Sequence, residues 1–194
     1  MAISFKYVGD LNGSSQPVLM TVPMNNVKMS VGDVVTVANS AQAGYLGLGV
    51  AGKPVLGVLQ GFVFPDGRPV TPGNLPASAT TTSTGPTCLD LTISADGDAF
   101  GVVSVSPTAV YSVPGATTPS TSTYYGGTGC DIVIATGAQT LTLGTPGTTT
   151  GLQAQIIAYG TGSRGRRGVD ENDASRVYAI LQENELFWGS YAVT

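Results

Sequence analysis

Short apolar runs separated by turn residues recur along the whole chain. Their density is highest over residues 27–70, where one run follows the Gly32-Asp33 turn and a second run covers residues 55–63. β-Branched residues punctuated by Gly, Pro and Asp are typical of an antiparallel sheet. Asp66-Gly67 supplies the positive φ that a tight reversal needs, so a hairpin is predicted there. The sequence thus predicts a β unit over residues 27–70.

The same alternation predicts most of the other elements. Strands are expected over residues 1–8, 17–23, 88–93, 100–105, 109–113, 131–135, 139–143 and 152–159. The strands at 88–93 and 100–105 flank a turn and are expected to pair as a second hairpin. Residues 176–182 alternate like a strand but follow an acidic segment that also suits a helix start, and the alternation favours the strand. This pattern is typical of an all-β fold, here an antiparallel β-barrel or β-sandwich.

The N-terminal segment, residues 1–26, holds a strand between two prolines, Pro17 and Pro23. Proline cannot donate a ladder hydrogen bond, so such a strand lies at a sheet edge or forms an extended arm. An ordinary edge strand and an arm lying on a neighbouring subunit are equally compatible with this pattern. The rest, residues 27–194, is expected to form a single β domain. Its long loops, rich in Thr, Ser and Pro, are expected at residues 71–86 and 114–129.

Charge is scarce in this chain. Only 10% of residues are charged, and the formal net charge is −4. Soluble domains usually carry roughly 25% charged residues, so a surface this poor in charge is more easily explained if partners cover much of it. No nucleic acid is expected as a partner, because that function leaves a basic footprint. The N-terminus lacks the apolar core of a signal peptide, and polar residues interrupt the charge-free run over residues 34–52, so no membrane span is expected.

The chain contains no histidine. This removes Ser-His-Asp and Cys-His nucleophile systems and histidine-ligated metal sites, and neither an enzyme activity nor a cofactor is expected. The acidic residues at 96–98 lack the spaced oxygen ligands of a calcium loop and fit a turn. The acidic residues at 170–173 are expected to form an exposed turn that pairs with the arginines at 164–167. Cys88 and Cys130 are expected to be small semi-buried side chains, although one bridge between them stays open.

Three groups of residues are candidate contacts with other subunits or with a partner protein. The apolar N-terminal strand can lie on a neighbour. The arginines, set among glycines, form either a solvated loop or a positive finger for an acidic partner. The aromatic C-terminal pair either docks on a partner or fills the core. The candidate residues are Pro17, Val18, Leu19, Met20, Arg164, Arg166, Arg167, Phe187 and Trp188.

Two parts of the chain resemble known virus proteins. The segments SVGDVVTV and GKPVLGVLQGFV place Gly32-Asp33 before one strand and Gly57-Val58 in the next. They resemble the opening of small bacteriophage head decoration (cement) proteins. The ending DENDASRVYAILQENELF is similar to the close of some phage capsid-associated proteins, in which an acidic turn precedes an apolar strand.

The resemblance implies a virion protein with a β-barrel or β-sandwich body, made in the cytoplasm of the bacterial host. It implies binding to the outer surface of the capsid, where a homotrimer fastens major capsid protein subunits together. It carries over no catalytic residues. A phage tail, adaptor or fibre protein is the alternative. An exported carbohydrate-binding module is a third reading, which the low aromatic content of 7% disfavours.

Overall fold

β-Strands make up nearly all the regular secondary structure in the described part of the chain. The computed structural model describes residues 4–13, 16–37, 44–81, 84–85, 88–115, 129–143 and 153–182. These ranges contain no α-helix and one short 3₁₀ turn, Gly165–Arg167. The strands are β1 (Lys6–Asp10), β2 (Leu19–Pro23), β3 (Lys28–Ser30), β4 (Val34–Val37), β5 (Leu46–Leu48), β6 (Gly57–Val63), β7 (Ala79–Thr80), β8 (Thr84–Gly85), β9 (Cys88–Ile93), β10 (Phe100–Ser104), β11 (Ala109–Pro114), β12 (Gly129–Val133), β13 (Thr140–Leu143), β14 (Ala154–Ile156) and β15 (Arg176–Leu181). The predicted all-β fold class is confirmed.

The strands form three antiparallel sheets. The first sheet has the order β1-β11-β15-β14-β12-β13, the second has the order β2-β10-β6-β4-β5, and the third has the order β3-β9-β7, with β8 also paired to β9. An isolated parallel bridge between Gly115 and Leu141 brings β13 towards β11. This bridge curls the first sheet without closing it. Of the two predicted alternatives, the architecture is therefore a sandwich of sheets and not a closed barrel.

Two hydrophobic cores lie on opposite faces of the second sheet. The first core joins this sheet to the first sheet, which contributes side chains such as Tyr111 and Ile132. The second core joins it to the third sheet, which contributes side chains such as Met29 and Leu91. The second sheet is thus the middle layer of the molecule.

Neighbouring residues of β4 and β6 enter different cores. Val34 and Val58 belong to the first core, whereas Val35 and Leu59 belong to the second. All four side chains are 0% exposed. Successive side chains of a strand point to opposite faces of the sheet, so both faces of these strands are covered. The unbroken apolar runs in this part of the sequence are explained by burial on two sides.

The connection from β9 to β10 is not the predicted hairpin. β10 pairs with β2 and β6, while β9 pairs with β3 and β7. Met24 N–H donates to the Ala99 carbonyl at 3.0 Å, and Asn26 N–H donates to the Ile93 carbonyl at 2.6 Å. The connection from β2 to β3 and the connection from β9 to β10 therefore run side by side between the second sheet and the third, as the two strands of one bent ribbon. The hairpin prediction is wrong because other strands occupy both edges of β10.

Several other local predictions are confirmed. At the Asp66-Gly67 turn, Phe64 N–H donates to the Arg68 carbonyl at 2.8 Å, and Gly67 has a φ of 85°. The strands predicted at 131–135 and 139–143 are present as β12 and β13, which form an antiparallel pair. The segment from Arg176 is a strand and not a helix.

The two predicted long loops differ in what the structure describes. The segment at 71–86 contains two short strands, β7 and β8, both paired with β9. Thr-rich pieces of chain suit such edge pairing because β-branched residues favour extended backbone. In the other loop, residues 116–128 lie outside the described residues. No helix among the described residues is long and apolar enough to cross a membrane.

Candidate interaction surface

β2 forms an open edge of the second sheet. Its ladder partner in the described chain is β10. Val22 is buried in the second core, but Val18, Leu19 and Met20 are 63%, 53% and 39% exposed. Pro17 is half-buried. Folded proteins normally protect or cover an apolar sheet edge, so this edge is a candidate contact with another chain.

The ladder with β10 decides which backbone groups of β2 point outward. Val105 N–H donates to the Val18 carbonyl at 2.9 Å, and Met24 N–H donates to the residue before β10 at 3.0 Å. The hydrogen-bonding direction alternates along an antiparallel strand, so the even-numbered residues of β2 face β10. The N–H and C=O groups of Leu19 and Thr21 therefore point away from the sheet.

Leu11 extends the exposed apolar surface at the start of β2. Its side chain is 51% exposed, and its N–H donates to the Thr108 carbonyl at 3.0 Å. Thr108 lies in the connection between β10 and β11, which also contacts Val18. No charged residue occurs in the sequence between Asp10 and Lys28. The edge therefore has none of the charges that usually keep an edge strand from pairing.

The basic loop, residues 160–168, carries two exposed arginines, Arg164 and Arg166. The side chain of Arg167 lies outside the described part. The loop wraps around the carboxylate of Glu171, which accepts a hydrogen bond from Gly162 N–H. The loop needs glycine at residue 160, where φ is 96°, and at residue 165, where a Cβ would lie 2.2 Å from the Tyr159 carbonyl oxygen. At residue 162, a Cβ would lie 2.5 Å from the Glu171 carboxylate. Glu171 thereby holds the loop in place.

The acidic segment does not pair with Arg164 or Arg166, contrary to the prediction. In the described ranges, no ion pair joins Arg164 or Arg166 to residues 170–173. Asp170 is buried, with 6% of its surface exposed, and Glu171 binds the backbone of the loop. The carboxylates are engaged in internal hydrogen bonds, which leaves the two guanidinium groups facing solvent.

Asp170 belongs to a buried polar network that the sequence did not indicate. Its carboxylate accepts hydrogen bonds from Ser112 Oγ and from the Tyr178 hydroxyl at 3.1 Å. Arg176 Nε donates to Ser112 Oγ at 2.8 Å, and Arg176 Nη2 donates to the Ser4 carbonyl at 2.9 Å. Desolvation lowers the pKa of Arg176, although nearby carboxylates oppose this effect. The network ties the N-terminal segment to β11 and β15, so its role is structural.

Asp33, just before β4, is another buried carboxyl group. It is 0% exposed and accepts hydrogen bonds from Ser30 N–H at 2.9 Å and Gly137 N–H at 2.8 Å. Burial raises the pKa of Asp33 to about 6, and the two hydrogen bonds act in the opposite direction. Asp33 links the turn before β4 to the turn between β12 and β13, and so joins the second sheet to the first.

Metal ligands do not cluster in the part of the chain that the structure describes. No group of three or more His, Cys, Asp or Glu side chains comes together there. The predicted turn at 96–98 is present, with Gly97 at a φ of 74°. Asp96 accepts a hydrogen bond from the Tyr45 hydroxyl.

The predicted contact residues fall into separate places. Val18, Leu19 and Met20 lie on the open edge of the second sheet, and the basic loop connects β14 to β15 in the first sheet. Phe187 and Trp188 lie outside the described residues. The structure therefore presents two distinct surfaces for contact, one apolar and one basic.

No family model, curated protein or solved structure matches this chain. The functional argument accordingly rests on these two surfaces and on the resemblance in the sequence.

Proposed function

We propose that this chain is a structural virion protein that binds the outer surface of a phage capsid and bridges major capsid protein subunits. The observation that carries the proposal is the open edge of β2, where three large apolar side chains are exposed on a strand without charge. Such an edge is a template for pairing with another chain. The resemblance of the Gly32-Asp33 and Gly57-Val58 segments to decoration proteins selects a phage capsid as the assembly.

The physical properties of the chain suit this role. Low charge limits the desolvation cost of burying surface at a contact. The exposed guanidinium groups of the basic loop match carboxylates on an acidic neighbour. A body that holds an apolar edge and a basic loop in fixed places can make several contacts at once. Several modest contacts made together bind far more tightly than one.

Capsid reconstitution tests the proposal. Phage particles that lack the chain are mixed with the purified full chain, and the temperature at which capsids release their DNA is measured with a fluorescent dye. We expect the chain to bind and the release temperature to rise. An unchanged release temperature contradicts capsid stabilisation. Electron microscopy of labelled virions separates the alternative, because a tail, adaptor or fibre protein is found away from the head.

A charge reversal tests whether the basic loop contacts the capsid. Arg164→Glu is expected to lower the affinity for capsids by about ten-fold. Lys53→Glu is the matched control, because it reverses another exposed charge in a different part of the protein. Equal affinities of the two variants would remove the basic loop from the capsid interface.

A further inference from the structure

The edge strand has a nearly palindromic sequence. Residues 17–23 are Pro-Val-Leu-Met-Thr-Val-Pro. At equal distances on either side of Met20 stand two prolines, two valines, and a leucine with a threonine. When two copies of a strand pair antiparallel about a two-fold axis, each residue meets the residue at the mirror position. With the axis at Met20, proline therefore meets proline and valine meets valine.

We propose that the chain forms a two-fold dimer in which β2 of one copy pairs antiparallel with β2 of a second copy, with the axis at Met20. The pairing makes one continuous sheet from the two second sheets. This inference goes beyond the proposed function, which requires only that another chain covers the edge of β2. It names that chain as a second copy, so that the basic loop is the surface left to contact the capsid.

The backbone of β2 fits this register. The outward N–H and C=O groups belong to Leu19 and Thr21, and the axis sets Leu19 opposite Thr21 of the second copy. Each hydrogen-bonded pair of an antiparallel ladder exchanges two bonds, so both outward groups of both residues are satisfied in each copy. Pro17 faces Pro23 of the second copy, and neither has an N–H to leave unpaired.

Neighbouring registers fit less well. With the axis at residue 19, Thr21 faces Pro17 of the second copy. With the axis at residue 21, Leu19 faces Pro23 of the second copy. Either shift leaves the carbonyl of Thr21 or of Leu19 without a donor, because proline cannot supply one. With the axis at Met20, the carbonyls without a donor are those of the two prolines, at the ends of the paired segment, and every outward group between the prolines is paired. The spacing of the prolines therefore favours the axis at Met20.

The same register covers the exposed side chains. Residues directly opposite each other lie on the same face of a sheet, so Val18 lies beside Val22 of the second copy. Val22 already belongs to the second core, and the interface extends that core across the axis. The two Met20 side chains meet as a non-hydrogen-bonded pair, in which side chains are closest. On the other face, Leu19 lies beside Thr21 of the second copy.

Disulfide trapping tests the register in the full chain. In a non-hydrogen-bonded pair the Cα atoms lie about 4.5 Å apart, which is within the range of a disulfide. Met20→Cys is therefore expected to form a covalent dimer under mild oxidation. Leu19→Cys is the matched control, because its two copies lie diagonally across the axis, about 7–8 Å apart. The unsubstituted chain is oxidised in parallel, and it shows any cross-link that Cys88 or Cys130 forms. No cross-link in Met20→Cys, or equal cross-linking in both variants, overturns the register.

Sedimentation equilibrium tests the dimer itself. Thr21→Pro removes an N–H that points outward, and so spares the ladder with β10. It is expected to raise the dimer dissociation constant by about ten-fold or more. Thr21→Val keeps the N–H and should leave the constant nearly unchanged. An unsubstituted chain that is monomeric at all concentrations overturns the dimer, as does a homotrimer that Thr21→Pro does not affect. A monomer that still binds capsids overturns the dimer and leaves the capsid role standing.

Discussion

The centre and the edge of the second sheet carry similar apolar runs but bury them differently. In β6, Val58 and Leu59 send their side chains into different cores, and both are 0% exposed. At the edge, Val18, Leu19 and Met20 form an equally apolar run that is 39–63% exposed. The comparison shows that an unbroken apolar run marks a strand that needs cover on more than one side. At the centre this chain supplies the cover, and at the edge we propose that a second copy supplies it.

The largest expected effect contrasts one leucine from each region. Leu59→Ala creates a cavity in the second core and should lower the free energy of unfolding by about 2–5 kcal/mol. Leu19→Ala removes an exposed side chain and should change it by about 0.5 kcal/mol or less in the monomer. Urea unfolding at concentrations too low for dimerisation measures both. Similar losses in the two variants would mean that the edge is not an exposed surface.

The second largest expected effect concerns the carboxyl group of Asp33, which is buried just before β4 in the second sheet. The pKa of Asp33 is raised from 3.8 to about 6 in the folded chain, so the folded state binds this proton more tightly than the unfolded state. The stabilisation that the raised pKa of Asp33 gives the folded state is fully present below about pH 3.8 and is lost as pH rises through about 6. The difference between the folded and unfolded pKa values corresponds to about 3 kcal/mol in the free energy of unfolding.

Asp33→Asn isolates this contribution, because the amide does not titrate. The free energy of unfolding of both proteins is measured from pH 3.5 to pH 7.5. We expect the advantage of the unsubstituted chain over Asp33→Asn to shrink as pH rises across this range. A difference between the two proteins that does not change with pH would show that Asp33 has an ordinary pKa.

The smallest expected effect contrasts two glycines of β6. A Cβ at Gly57 would lie 2.0 Å from the Ser104 carbonyl oxygen, whereas a Cβ at Gly61 would meet nothing within 4 Å. Gly57→Ala should therefore cost about 1–3 kcal/mol of stability. Gly61→Ala should change stability by about 0.5 kcal/mol or less. Thermal unfolding of the pair checks this, and equal melting temperatures would contradict the close packing of β6 against β10.

The apolar surface could be predicted from the sequence, and the structure of the basic surface could be predicted only in part. Pro17 and Pro23 confine the strand between them to an edge by a local rule, and the structure places it there. The arginines at 164–167 were expected to pair with the neighbouring acidic residues. Asp170, one of these acidic residues, instead accepts a hydrogen bond from Ser112, which is distant in sequence. Burial depends on such distant contacts, so residue type and spacing could not reveal it.

The sequence by itself determined most of the longer strands and several turns, because these features depend on local backbone preferences and on period-two alternation. The Asp66-Gly67 reversal and the strand from Arg176 are examples. β7 and β8 lie in a segment that was predicted as a long loop, because their extended backbone depends on pairing with β9. The tertiary structure decided which strands share a sheet, because pairing depends on contacts between distant segments. β9 and β10 are adjacent in sequence yet lie in different sheets, since β2 and β6 occupy both edges of β10. The tertiary structure likewise decided that one apolar run is buried between two cores while another is left open at an edge.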